Sequence, residues 1–255
     1  MSIRFKVSRP LAIAVGSLLL GIFVYLWGFQ TLAAFKYRHS AKENHILWET
    51  PKPLPQTDAS QTKGVKLSSG VLEFEVPWSD LDTSRVVTEH NFAVFVFRSG
   101  IGISFFGPTQ GLLSEPKFLS EPKLREGFRS VVGSEAAQSN FALLKAELEA
   151  TPAQIKPWTR RRKAVQTCVL LNLKASTLRG GETGVFTIQQ NGWRGFQFDD
   201  PAQKPKRVEL DLYDLLDRQV MLGFSVVKGS EAVITQQDIN RILQTLRPIA
   251  ASNSN

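Results

Sequence analysis

Along residues 70–77 the chain reads Gly-Val-Leu-Glu-Phe-Glu-Val-Pro, so that Leu72, Phe74 and Val76 alternate with Glu73 and Glu75. A period of two predicts a strand with one face in a core and the other toward water. The runs Asn91–Phe97 and Ile101–Phe106 are rich in β-branched and aromatic residues and are joined by Arg98-Ser99-Gly100, which predicts a hairpin. After Gly107-Pro108 the period lengthens: Leu124, Phe128 and Val131 recur at steps of four and three, and Gly133 marks a helix end. Ala137, Phe141, Leu144 and Leu148 predict a second helix from a Ser134 cap, with Glu147 and Glu149 on its wet side. Thr151-Pro152-Ala153-Gln154 then spells a capping box for one short turn.

Between the hairpin and these helices stands a doubled hexamer, LSEPKFLSEPKL over residues 113–124. Each Ser-Glu-Pro suits a helix start, since proline is tolerated in a first turn. Inside a longer helix, Pro122 would remove a hydrogen bond and clash with the preceding turn. The two copies therefore cannot share one straight helix; the first reads as a loop or single turn, and Ser120 as the start of the helix carrying Leu124. Leu113, Phe118 and Leu119 are the apolar residues of this crossing and the candidate lid.

The second half returns to strands. Val165, Thr167, Val169, Leu171 and Leu173 alternate with Gln166, Cys168, Leu170, Asn172 and Lys174, which predicts a strand with Cys168 in its middle. GVFTIQQ and WRGFQF flank Asn191-Gly192, the pair that supplies the two positive φ angles of a type I′ hairpin. Strands are expected over 208–212 and 220–226, and a closing helix over 235–246 with Thr235 and Asp238 as its capping pair. Hairpins with segregated helices define an α+β fold, an antiparallel sheet with helices packed on it. The opening step Leu72-Glu73-Phe74-Glu75-Val76-Pro77 and the closing helix around Asp238-Ile239-Asn240-Arg241-Ile242-Leu243 resemble the PsbP-like fold in outline over residues 70–248. The Gly-Trp that often follows the proline in that family is absent; Trp78 comes directly after it. The resemblance implies an α/β/α sandwich and a binding or assembly module.

Ahead of this domain lies a different pattern. Residues 11–35 form a 25-residue run without Asp, Glu, Lys, Arg or His. As a helix it would reach ~37 Å, against a bilayer core of ~30 Å, so a transmembrane helix over 11–35 is expected. Arg4, Lys6 and Arg9 make residues 1–10 a short basic tail and would equally suit a cleaved leader. An uncleaved anchor fits better, because the run is too long for a leader and Leu32 occupies the position where cleavage after Ala34 wants a small residue. Tyr25 and Trp27 are the candidate interfacial ring residues. Residues 36–64, with Pro51, Pro53 and Pro55, read as a flexible linker. Residues 65–250 form the folded domain and 251–255 a disordered tail. Arg4, Lys6 and Arg9 before the span balance Lys36, Arg38 and Lys42 after it, so the basic flanks do not set orientation. The basic leader before a long apolar run favours a signal anchor with the domain on the extracytoplasmic side.

The whole chain carries a formal charge of +8. Beyond residue 35 remain 28 of the 31 basic residues and all 23 acidic ones, a domain of about +5 that an anionic lipid surface would attract. One cysteine, Cys168, excludes an intramolecular disulfide.

Motifs for chemistry are missing. His39, His45 and His90 are too scattered for a metal cage, and there is no H-E-x-x-H, no G-x-S-x-G and no phosphate-binding loop. No catalytic residue, metal or cofactor is therefore expected. Asp199-Asp200 and the set Asp211, Asp214 and Asp217 read as turn chemistry. The distinctive stretch is Lys156-Pro157-Trp158-Thr159-Arg160-Arg161-Arg162-Lys163. Lys156, Trp158, Arg160, Arg161, Arg162 and Lys163 suit contact with anionic lipid head groups or an acidic protein partner, and membrane tethering favours these over nucleic acid. The expectation is a single-pass membrane protein whose domain is a non-catalytic binding or envelope-assembly module. Two alternatives stand beside it. One is a hydrolase-like enzyme built from residues such as His90, Cys168, Asp199 and Asp200; the other is a scaffold subunit of a membrane complex.

Overall fold

The computed structural model describes residues 28–37, 39, 48–56, 64–69, 71–89, 91–109, 111–178 and 182–249. In its N-terminal half, a helix over residues 28–37 (α1) is followed by β1 (Lys52–Pro53), β2 (Val65–Ser68), β3 (Leu72–Val76), β4 (Val87–Glu89), β5 (Phe92–Val96) and β6 (Ile101–Thr109). Four helices come next: α2 (Pro116–Ser120), α3 (Pro122–Val132), α4 (Asn140–Glu149) and α5 (Arg161–Thr177). The chain then forms β7 (Val185–Gln190), β8 (Trp193–Phe198), β9 (Arg207–Tyr213), β10 (Gln219–Val226), α6 (Gln236–Thr245) and β11 (Arg247–Pro248). This is the mixed α+β class that the alternating and helical periods predict.

Eight strands make one sheet in the order β1-β7-β8-β9-β10-β6-β5-β4, and β11-β3-β2 make a second, smaller one. Every pairing in the larger sheet is antiparallel except β1 on β7. The period of two divides its faces. Leu210, Leu212, Leu222 and Phe224 pack with Ile239, Ile242 and Leu243 of α6 and with Phe74 of the small sheet. On the other face Phe196, Phe198 and Tyr213 meet Phe141, Leu144 and Leu148 of α4. A further cluster joins Tyr37 of α1, Val132 of α3 and Ala164 and Leu171 of α5.

Local signals hold where they are strong. Asn191 and Gly192 take φ of 52° and 80° and close the β7–β8 hairpin, as a type I′ turn requires. Thr235 accepts from Asp238 N (3.2 Å) while Asp238 accepts from Thr235 N (2.9 Å), so α6 has its capping box. The doubled hexamer splits as its prolines demand: Pro116 opens α2, Pro122 opens α3, and extended Glu121 separates them. The α3 cap is thus Glu121 and not Ser120, and the α4 cap is Ser139 and not Ser134, with Ser139 Oγ accepting from Ala142 N at 3.0 Å.

The strand expected over 165–173 is instead the middle of α5. Its buried residues Ala164, Thr167, Leu170, Leu171 and Lys174 follow helical steps of three and four, whereas the apparent alternation arose because residues 164–173 are apolar on nearly every side. Helix wins on length and composition: no glycine or proline lies between Pro157 and Gly180, and Arg, Lys, Ala and Leu are strong helix formers. Cys168 is therefore helical. Glu147 is also corrected, from the wet side of α4 to a buried site beside Thr177. On α3 the apolar stripe is rotated, with Val132 buried, Phe128 half-buried and Leu124 and Val131 exposed.

The segment expected as a flexible linker contributes to the fold where it is described. Lys52 and Pro53 pair with Phe186 and Thr187, Leu54 is buried, and Asn240 Nδ2 donates to Pro55 O at 2.8 Å. Residues 40–47 and 57–63 lie outside the described residues, as do 1–27, which include most of the expected span with Tyr25 and Trp27, and 250–255. No helix among the described residues is long and apolar enough to cross a membrane.

Candidate functional site: a basic turn beside the first helix

After α4 the capping box at Thr151 and Gln154 forms as the sequence implies, and Ile155 is buried. Residues 156–160 then turn into α5 under the control of Thr159. Its Oγ1 accepts from Lys156 N (2.9 Å) and donates to Gln154 O (3.3 Å), and its N–H donates to Lys156 O (2.9 Å). With the backbone held this way, Trp158 is left 73 % exposed. Lys156 Nζ sits 5.8 Å from its ring centroid, a cation–π placement. Arg160 is the N-cap residue of α5 and Arg161, Arg162 and Lys163 are exposed in its first turn, with no acidic residue among them and no side-chain cap. Cations at a helix N-terminus oppose the helix dipole at ~0.3–1 kcal/mol each. No ion pair among the described residues neutralises any of the four. The six residues proposed from the sequence thus form one continuous exposed turn, carried by a helix start and not by a loop before a strand.

The direction of α1 gives this turn its setting. Gln30 is buried and its Nε2 donates to Thr159 O at 3.2 Å. Seven residues later, Tyr37 Oη lies 3.0 Å from both Cys168 O and Asn172 Oδ1. Helices α1 and α5 therefore run parallel, and the start of α1 lies at the basic end of α5. Phe29, Leu32 and Phe35, at steps of three, point away from that contact; Leu32 is 71 % and Phe35 70 % exposed. Sequence reading missed this arrangement, because it assigned residues 28–35 wholly to the span.

The crossing proposed as a lid is pinned. Asn140 Oδ1 accepts from Leu113 N (2.9 Å) and its Nδ2 donates to Ser114 Oγ (3.0 Å) and Asp217 Oδ2 (2.9 Å). Leu113 and Phe118 are buried, Phe118 edge-on to Phe128 at 5.5 Å, whereas Leu119 is exposed. None of the three lines a cleft described below.

The residues weighed for hydrolytic chemistry separate. Cys168 is on α5, and burial pushes its thiol pKa up, the opposite of an activated thiolate. Asp199 accepts from Thr183 N (2.8 Å) and Asp200 from Ala202 N (3.0 Å), so both serve turns. Asp217 accepts from Asn140 N and Phe141 N and starts α4; Asp214 holds the β9–β10 turn through Leu216 N and Arg218 N. His90 lies outside the described residues. One cavity of about 300 Å³ does bring Asp199, Glu209 and Asp211 together, next to Thr177. Burial raises Asp211 to about 6, with Gln219 Nε2 donating to it at 2.7 Å. No group of three or more metal-ligating side chains exists among the described residues.

Fold and site together give an α+β domain with an exposed basic turn, tipped by Trp158, at the end where α1 begins. No family model, no curated protein and no solved structure matches the chain.

Proposed function

We propose that this chain is a single-pass membrane protein whose α+β domain is a non-catalytic binding or assembly module held with the N-terminal end of α5 against an anionic lipid surface. The observation that carries the reading is the parallel packing of α1 on α5, which puts Gln30, near the end of the apolar N-terminal run, against Thr159, the residue after Trp158. With residues 28–35 committed to α1, residues 11–27 remain for the crossing; as a helix they reach ~25 Å, the short end of what a bilayer accepts. Phe29, Leu32 and Phe35 then supply an interfacial apolar stripe and Trp158 an aromatic anchor.

Energetics favour the contact. Each cation near an anionic leaflet contributes ~1 kcal/mol. The five from Lys156 to Lys163 exceed the ~0.3–1 kcal/mol that the dipole takes from each of those in the first turn. Tethering raises the local concentration further. The domain is placed on the extracytoplasmic side, which a C-terminal reporter active only outside the cytoplasm tests.

Hydrogen exchange of the full chain in nanodiscs checks the apposition. Amides of residues 156–163 are expected to exchange at least fivefold more slowly with one-quarter phosphatidylglycerol than in pure phosphatidylcholine, while α6 is unchanged. Equal exchange of that turn in the two lipids would overturn the reading.

A further inference from the structure

Arg162 does not belong to the turn alone. Together with Arg125, Arg129, Glu126, Pro122 and Ser130 it lines a cleft of about 540 Å³ between α3 and α5. A neighbouring cleft of about 440 Å³ shares Arg129 and Arg162 and adds Lys163, Gln166 and Glu135. The two helices are held at this point by Gln166 Nε2, which donates to Ser130 O at 3.1 Å. Four cations therefore converge from two elements against two carboxylates. Arg125 and Arg129 stand four apart on one helix, a like-charge spacing that costs a few tenths of a kcal/mol. Arg162 and Lys163 sit at the positive end of α5, where its first amide N–H groups have no side-chain cap. No ion pair among the described residues discharges any of the four.

We propose that the α3–α5 cleft is a phosphate-binding site in which Arg125, Arg129 and Arg162 hold a phosphoryl group. Guanidinium forks match phosphate oxygens two at a time, and three of them from two helices enclose a tetrahedral anion where lysines would offer only point charge. Lys163 and the helix end add attraction without geometry. Glu126 lines the same cleft and opposes the bound anion in part. The phosphoryl group is shared chemistry of free phosphate and of a lipid head group; only the lipid source rests on the membrane-apposed reading, since the cleft adjoins the turn proposed to face the bilayer.

Calorimetric titration of the full chain in neutral maltoside micelles, with inorganic phosphate, dihexanoyl phosphatidic acid and dihexanoyl phosphatidylcholine as probes, tests this. Inorganic phosphate and the phosphatidic acid are expected to bind and the phosphatidylcholine not to, and Arg129→Ala or Arg162→Ala to weaken the two that bind at least tenfold. Arg162→Lys is expected to lose severalfold through loss of the fork, and Glu126→Gln to gain severalfold, a gain that a merely structural role does not produce. Phosphatidic acid binding tenfold more tightly than phosphate assigns a lipid source; equal binding assigns a soluble one. Both results support the site. Absence of binding by both inorganic phosphate and phosphatidic acid, or affinities unchanged by Arg162→Lys and Glu126→Gln, overturns it even where an alanine variant fails to fold. Arg160→Ala with Arg161→Ala lies outside the cleft and leaves these titrations within twofold while reducing the nanodisc protection, so failure of one reading is distinct from failure of the other.

Discussion

Replacing Lys174 by methionine is expected to lower the stability of the full chain in neutral detergent by about 3–5 kcal/mol, read as a lower urea midpoint. Lys174 is only 1 % exposed, yet it has no carboxylate partner among the described residues. Its ammonium donates instead to three carbonyls, Leu148 O (2.5 Å), Glu49 O (2.8 Å) and Ala150 O (3.1 Å). Two of these belong to the C-terminal end of α4 and its cap, where free carbonyls and the helix dipole favour a cation. Burial lowers the Lys174 pKa to about 8, so it is still charged at neutral pH, but its desolvation offsets part of what the three hydrogen bonds contribute. Methionine keeps the apolar stem and removes every donor, so the buried carbonyls of Leu148 and Ala150 lose their partner at ~1–3 kcal/mol each, and the less buried Glu49 carbonyl at less. The loss also frees Glu49 from α5 and loosens the attachment of β1, which precedes the domain expected from sequence. A change under 1 kcal/mol would show that water replaces the ammonium without cost.

Glu147→Gln is expected to act in the opposite direction and only above acid pH. Burial raises the Glu147 carboxyl from 4.5 to about 7, with Thr177 Oγ1 donating to it at 3.2 Å as the opposing influence. Below pH 4.5 the acid is protonated in both folded and unfolded chains, and its contribution to stability is fully present. Between 4.5 and about 7 the unfolded chain loses the proton first, so stability falls as pH rises, by ~3 kcal/mol in total, and is level above that window. Glutamine cannot ionise and retains an acceptor for Thr177. The variant should therefore match the parent at pH 4 and exceed it by about 2–3 kcal/mol at pH 8 in urea unfolding. Asp211, raised from 3.8 to about 6 in the same direction, leaves a residual slope below pH 6 in both proteins. Parallel pH profiles for parent and variant would place the Glu147 carboxyl in water after all.

These two residues show what can be read along a chain and what cannot. Asn191-Gly192, the Thr235–Asp238 pair and the break at Pro122 were legible because the backbone geometry that each requires is set within four residues. The basic turn was legible for the same reason, since Lys156 to Lys163 are adjacent in sequence. Its partner arginines were not: Arg125 and Arg129 meet Arg162 only through the packing of α3 on α5, in which Val132 joins Ala164 and Leu171 and Gln166 Nε2 donates to Ser130 O. The α5 error has a physical origin in residues 164–173, whose apolar character fits a period of two as well as one of 3.6. A strand at residues 165–173 hides the burial of Glu147 and Lys174, because both depend on the helical face of α5. Strand β1 was hidden by its length of two residues and by pairing with a segment more than 130 positions away.

The position of Trp158 against lipid tests the central claim most directly. A nitroxide at Trp158→Cys in a Cys168→Ser background, compared with one at Gln237→Cys on α6, reports depth through its relative accessibility to oxygen and to a water-soluble nickel chelate in anionic nanodiscs. Head-group depth is expected at 158 and an aqueous signature at 237. An aqueous signature at both positions would contradict it.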